Sequence, residues 1–401
     1  MSLLSPTIVL GADSPIGLTA IRELGRNGVP VHAIGSTPDS LGSQSRYCMS
    51  SSVRPQGVMA QWLPPLIEAT GAGALLAISE NDLRALAELP AEIHGCTILT
   101  PRAGQLDLVL DKRRTLEAAR AVGIDVPTSW QPGPGDDPVA RAKALTYPVI
   151  AKWADTSAIA PRLEALGLDF HKAEYARNAA ELVALLDRYN PLGDWPLVQS
   201  YAPGVGLGQM LFMHDGVATL RFQHRRLREW PPEGGVSTLC AAEPPGQHAA
   251  QMAKSEALLA SIDWHGPAMV EYRFDSATGR YLLMEINGRF WGSMPLAAHC
   301  GAAFAWESYR CALLPGDALP QTPRAGLRAR YVVPDTRRLA RVLFRRSALT
   351  DPACRPGRAE TVLRYIADFF DPRVRYYVGS PDDPRPLRSD LVKIARKVFR
   401  A

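Results

Sequence analysis

Ala268-Met269-Val270-Glu271-Tyr272-Arg273-Phe274 and, beyond the turn at 275–279, Arg280-Tyr281-Leu282-Leu283-Met284-Glu285-Ile286-Asn287 read as the two strands of a β-hairpin. Side chains alternate across a strand. Glu271, Arg273 and Asp275 therefore share one face of the first strand, and Glu285 and Asn287 one face of the second. In register, two carboxylates and an amide oxygen converge. Like charges that close repel. A hard divalent cation removes that cost, because magnesium takes oxygen ligands from a few protein groups, water and nucleotide phosphates. The bland alternative is a solvated hairpin of alternating charge. The apolar flanks of both strands, and Asn287-Gly288-Arg289-Phe290-Trp291 beyond them, weigh against it. Arg289 is placed to stabilise charge developing on a transferred phosphoryl or acyl group.

Upstream, Pro196-Leu197-Val198-Gln199-Ser200-Tyr201-Ala202-Pro203-Gly204 is an apolar strand breaking into a Pro-Gly turn. Such a break leaves backbone N–H and C=O groups for a flat heterocycle such as adenine, although by itself the segment is only a strand and a turn. Tyr147-Pro148-Val149-Ile150-Ala151-Lys152 is a strand ending in a lysine, and Asp111-Lys112 leads into a helix from Arg113 to Ala121. A lysine beside nucleotide phosphates acts as a point charge on their oxygens; alone, each of these two would be read as a surface residue. Nearer the start, Thr7-Ile8-Val9-Leu10-Gly11 and a glycine turn lead into a helix through Ile21 and Leu24, and Val29 to Ile34 is a second strand. Further strands are expected at 74–78 and 97–99, with a helix over 83–89 capped by Ser79. The turn lacks G-x-G-x-x-G spacing, and no acidic residue ends the second strand. An architectural glycine turn is therefore preferred to a nicotinamide site.

In this order, the glycine-turn α/β segment, Asp111-Lys112, Lys152, Gln199 to Gly204, Glu271 and Glu285-Ile286-Asn287-Gly288-Arg289 resemble the ATP-grasp superfamily, in the branch of biotin carboxylase, carbamoyl-phosphate synthase and amino-acid ligases. The resemblance runs from about Thr7 to Leu314, and E-x-N-x-R is its most specific piece. It implies an α/β fold: a Rossmann-like domain over 1–107, an ATP-grasp part of α+β type in two pieces over 108–195 and 196–316, and a basic helical extension over 317–401. It implies that Lys112 and Lys152 bind ATP phosphates and that the backbone of Ser200 and Ala202, flanked by Gln199 and Tyr201, holds adenine. Glu271, Glu285 and Asn287 would ligate Mg²⁺, with Mn²⁺ as a substitute, and Arg289 would contact the acyl-phosphate region. Gln223 to Glu229, with Gly234-Gly235, looks like the segment facing phosphate and substrate. It offers Arg226 and, as a weak candidate base, His224; otherwise it is a basic solvent-facing strand. The implied activity joins a small carboxylate to an amine, or a thiol, through an acyl phosphate. A regulatory ATP-binding protein without turnover is the alternative. One departure stands out. Many relatives carry a glycine-rich loop after the second lysine, whereas 153–170 holds one glycine, so phosphate closure would draw on Thr156, Ser157 or Lys172.

The 401 residues suggest two to three packed units, and 46% hydrophobic with 21% charged residues is ordinary for a globular enzyme. No run of 18 apolar residues occurs, and the first residues lack the pattern of a secretory signal. Six scattered cysteines without a C-x-x-C pair read as free thiols in a cytoplasmic protein. The net charge of +5 is uneven: residues 321–401 carry 19 Lys+Arg and 8 Asp+Glu, a net of +11, which leaves −6 for the remainder. Arg337 to Arg346 and Leu391 to Arg400 read as basic amphipathic helices. They would either dock on their own domain or lie on an anionic membrane. No zinc, RNA-module or helix-turn-helix pattern appears, so no specific nucleic acid is expected as a partner, whereas a homodimer is.

Overall fold

The computed structural model describes residues 4–153, 156–171, 173–232, 235–314, 316, 321–345 and 357–399. The chain divides into two compact units. One comprises residues 1–106, 207–269 and 287–401; the other comprises 107–206 and 270–286.

The first unit opens with strands β1 (Thr7–Leu10), β2 (Val31–Gly35), β3 (Ser50–Val53), β4 (Ala74–Ala77), β5 (Glu92–Ile93) and β6 (Cys96–Ile98). They form one sheet in the order β3-β2-β1-β4-β6-β5, parallel except where β5 meets β6. All four residues of β1 are buried, as a strand covered on both faces requires. The following helix, Pro15–Arg26, has proline at its start and is capped by Ser14, whose Oγ accepts from the Gly17 amide at 3.2 Å. Gly17 is required by close approach, since a Cβ there would sit 2.3 Å from the Gly11 carbonyl oxygen. Asp13 accepts from the Ser36 amide and hydroxyl at the end of β2. The glycine turn thus has a packing role, as expected. Ser79 caps its helix by accepting from the Asp82 amide.

In the second unit, β7 (Ser129–Trp130), β8 (Val149–Lys152), β9 (Glu174–Ala176) and β10 (Leu197–Ser200) form an antiparallel sheet in the order β7-β10-β8-β9. Its core gathers Val149, Trp153, Leu163, Leu182, Leu186 and Tyr189, with the Trp153 and Tyr189 rings edge to face at 5.0 Å. Back in the first unit, β11 (Val205–His214), β12 (Val217–Trp230) and β13 (Val236–Ala242) form a long antiparallel meander beside β14 (Gly266–Asp275). Strand β14 begins in the first unit and ends in the second, where β15 (Arg280–Asn287) lies next to it.

The C-terminal part, expected to be helical, also supplies strands. β16 (Arg328–Arg330) pairs antiparallel with β13, and β17 (Val374–Tyr376) pairs parallel with β16. Two buried carboxylates fasten it within the first unit. Asp335 accepts from Arg228 Nε at 2.8 Å, Arg330 Nε at 2.7 Å and Thr238 Oγ1 at 3.1 Å. Asp383 has no exposed surface and accepts from Arg22 Nε at 2.9 Å, Ser45 Oγ at 2.7 Å and the Arg46 amide at 2.9 Å. The first basic helix spans Val332–Phe344 and the last Arg385–Phe399, each starting earlier than the basic run suggested.

Candidate active site

Within the second unit, Asp111 caps the helix Lys112–Ala121 by accepting from the Arg113 and Arg114 amides, which holds Lys112 at the first turn. Lys112 Nζ donates to the Trp153 carbonyl at 2.9 Å, one residue past Lys152 at the end of β8. The two ammonium groups are therefore neighbours. Burial first, and then the Lys112 charge, push the Lys152 ammonium down to about 8. Glu285 and Glu271 act in the opposite direction, and Arg273 depresses it a little further. Both glutamates thus stand within electrostatic reach of one lysine, and both are half-buried on the hairpin. Asn287 ends β15 two residues after Glu285, on the same strand face. Asp275, at the end of β14, is engaged in the turn: it accepts from the Ala277 amide at 3.0 Å and from Thr278 Oγ1 at 2.8 Å.

Strand β10 brings Gln199 and Ser200 alongside this group, since Leu197 pairs with Lys152 and Ser200 with Val149. Gln199 is buried, and its amide donates to Ser129 Oγ at 3.1 Å. The Ser200 amide donates to the Thr128 carbonyl at 2.8 Å and the Tyr201 amide to the Pro148 carbonyl at 3.2 Å. Those two donors are therefore engaged in the sheet, and an adenine edge would have to use carbonyls or the stretch from Ala202 onward. Arg273 Nε approaches the Ala202 carbonyl at 3.4 Å. Gly204 has φ +96, and a Cβ there would sit 2.2 Å from the Phe274 carbonyl oxygen, so the break after β10 requires glycine twice over.

The other expected site residues belong to the first unit. Arg289 is half-buried and donates to the Phe290 carbonyl at 3.0 Å. Arg226 donates to Glu229 at 3.0 Å and to the Gly235 carbonyl at 3.2 Å; Gly234 lies outside the described residues. His224 has no exposed surface. Its Nδ1 meets Ser293 Oγ at 3.1 Å, and burial, followed by the Arg226 charge, lowers its basicity to about 3. A ring in that state is a poor proton acceptor near neutrality. The run from Gln223 to Arg228 is not a solvated basic strand: Gln223 and His224 are buried, and Arg228 is held by Asp335 and Asp368.

Among the described residues no three His, Cys, Asp or Glu side chains gather closely enough to hold a metal by themselves. The expected set of two carboxylates and an amide would need water and phosphate oxygens to complete it, as magnesium sites commonly do.

No family model and no curated protein matches the chain. Solved structures do. The biotin carboxylase domain of 2-oxoglutarate carboxylase from Hydrogenobacter thermophilus, a dimer in complex with MgADP, ADP and bicarbonate, has 18% identity and a TM-score of 0.61, covering 81% of this chain and 73% of its own. N5-carboxyaminoimidazole synthetase from Staphylococcus aureus, complexed with ADP, has 14% identity and a TM-score of 0.60, covering 81% of each chain. Pyruvate carboxylase from Rhizobium etli has 16% identity and a TM-score of 0.60 over 81% of this chain, which spans only 30% of that larger protein. The chain has the ATP-grasp fold.

On that fold, the stretch after Lys152 is a helix, Thr156–Ala165, rather than a glycine-rich loop. Lys172 and the side chains of Thr156 and Ser157, expected to help close over phosphate, lie outside the described residues. Arg273 is the residue that the motif reading placed on the right face but left without a role. Its spacing of two from Glu271 was the available signal, and its contact with Ala202 joins residues far apart in the chain.

Proposed function

We propose that this ATP-grasp chain is an ATP-dependent ligase that activates a small carboxylate as an acyl phosphate and transfers the acyl group to an amine. One observation carries the reading: Lys112, Lys152, Glu271 and Glu285 are brought from three separate stretches of sequence into one electrostatic neighbourhood. Two lysines side by side suit a polyanion such as a triphosphate, and two adjacent carboxylates suit a divalent ion. ATP and Mg²⁺ are thus the proposed cosubstrate and ion. Magnesium, when bound on Glu271, Glu285 and Asn287, would supply charge neutralisation at the phosphates.

In this reading a carboxylate oxygen attacks the γ-phosphorus and ADP departs. The amine nitrogen then attacks the acyl carbon, inorganic phosphate leaves, and the amine proton passes to solvent. The second unit binds and orients: Lys112 and Lys152 hold phosphate oxygens and the break at 201–204 receives the base. No nucleophilic side chain is required. His224, buried and weakly basic, is better suited to packing than to proton transfer.

The test is phosphate release from ATP and Mg²⁺ across a panel of carboxylates and amines. Glu285→Gln should reduce it by at least ~10²-fold with little change in thermal stability. Full activity in that variant would remove the proposed ion site. The helix in place of a glycine-rich loop after Lys152 favours a second reading, a nucleotide-binding protein without turnover. Tight ATP binding with no phosphate release for any substrate pair would select it.

A further inference from the structure

Phenylalanine is rarely left in water, yet Phe344 is 82% and Phe370 81% exposed. Both belong to the C-terminal part of the first unit, where Leu363 (68%), Ile366 (49%) and Phe369 (46%) are exposed as well. The helix Arg358–Ala367 explains the pattern. It turns Thr361 and Asp368 inward, where Asp368 holds Arg228. Ala359, Leu363, Ile366 and Phe370 follow at intervals of four, three and four, a single stripe on the opposite face. The stripe continues past the formal helix end because the Phe369 and Phe370 amides still donate to the carbonyls of Ile366 and Ala367. An outward apolar stripe on a firmly docked helix is the reverse of a solvent-facing surface.

The charge around it is one-sided. Among the described residues of 332–376, Arg337, Arg345, Arg358, Arg364, Arg373 and Arg375 are exposed, and Glu360 is the sole exposed acid. The other carboxylates there are turned inward: Asp335 and Asp368 are buried, and Asp371 is held by Arg373. Apolar side chains able to enter the acyl boundary, ringed by six exposed arginines against two acids, Glu360 bridging Arg364 and Asp371 bridging Arg373, complement an anionic lipid surface. We propose that the helix Arg358–Ala367, with Phe369, Phe370 and the neighbouring exposed arginines, is a peripheral docking surface for membranes rich in anionic lipid. The sequence pattern offered the basic helices at Arg337 to Arg346 and Leu391 to Arg400 for membrane contact; this surface instead centres on the helix between them. Association is reversible and salt-sensitive, since neither the stripe nor the arginines alone would hold the protein on a bilayer.

The experiment is sedimentation of the full chain with vesicles of phosphatidylcholine alone and of phosphatidylcholine with phosphatidylglycerol. Binding is expected only to the second, weakening as salt rises. The double variant Leu363→Ser/Phe370→Ser should weaken it at least ~tenfold. Arg345→Glu/Arg358→Glu should do the same while leaving the stripe intact. All four positions are at the surface, so unchanged thermal unfolding keeps both variants interpretable. Absence of binding, equal binding to uncharged vesicles, or binding unaffected by either variant would overturn the proposal. So would a concentration-dependent dimer that Leu363→Ser/Phe370→Ser abolishes, which would assign the stripe to a second copy.

Discussion

Glu23 is an acid whose chemistry is at odds with its surroundings. It is buried, one carboxylate oxygen accepts from the Ala305 amide at 2.7 Å, and the other has no hydrogen-bond partner among the described residues. Burial pushes it up to about 8 despite the amide donors. In the unfolded chain it ionises near 4.5. Between those values the unfolded state gives up the proton first, so its contribution to stability is full below 4.5 and is lost as pH rises towards 8. Glu23→Gln should flatten that decline and unfold at a higher temperature than the parent above pH 8; an unchanged pH profile by scanning calorimetry would contradict it. Gly204 poses a steric question instead. Gly204→Ala forces a Cβ against the Phe274 carbonyl at a positive φ, and should cost at least ~1–3 kcal/mol in denaturant unfolding. A variant as stable as the parent would mean that the chain after β10 can adopt another path.

At the scale of elements, helix starts do much of the positioning. Asp111 caps the helix that presents Lys112, so Asp111→Ala should lower stability by about 1 kcal/mol and weaken nucleotide binding as the first turn frays. If binding were unchanged while stability fell, Lys112 would not depend on the cap. The hairpin β14–β15 was legible because strand periodicity and turn residues coincide there, so its facing residues could be named from the sequence. Strand β12 was not. Gln223-His224-Arg225-Arg226 is polar in every position, and a polar run reads as solvent-facing. In the fold, its charges are met by Glu243, Glu229 and Asp335, which lie 18, 3 and 107 residues away from their partners. Of these only the pairing of Arg226 with Glu229 is local; the other two leave no local trace.

For the whole molecule, the C-terminal part is a structural portion of the first unit. Arg22 and Asp383 are 361 residues apart and both buried, so Asp383→Ala would leave a guanidinium without its counter-charge. A loss of ~3–5 kcal/mol is expected, measured by equilibrium unfolding. Replacing Arg22 by Met in the same chain should restore part of it. If the double variant is no better than Asp383→Ala alone, the pair is not what fastens this part. Among the described residues no helix is long and apolar enough to cross a membrane.

Sequence by itself determined the glycine turn with its flanking strands and helix, the hairpin with its two glutamates, the lysine at a strand end and the order of these pieces. Each is written in local periodicity or in a residue with one physical use. Only the tertiary structure decided that Lys152 is deep enough to lose basicity, that His224 is enclosed and that Arg273 meets Ala202. It alone showed that the basic helical extension is tied down by Asp335 and Asp383. Burial and the partner of a charge are properties of distant chain segments brought together, and a single stretch of sequence carries neither.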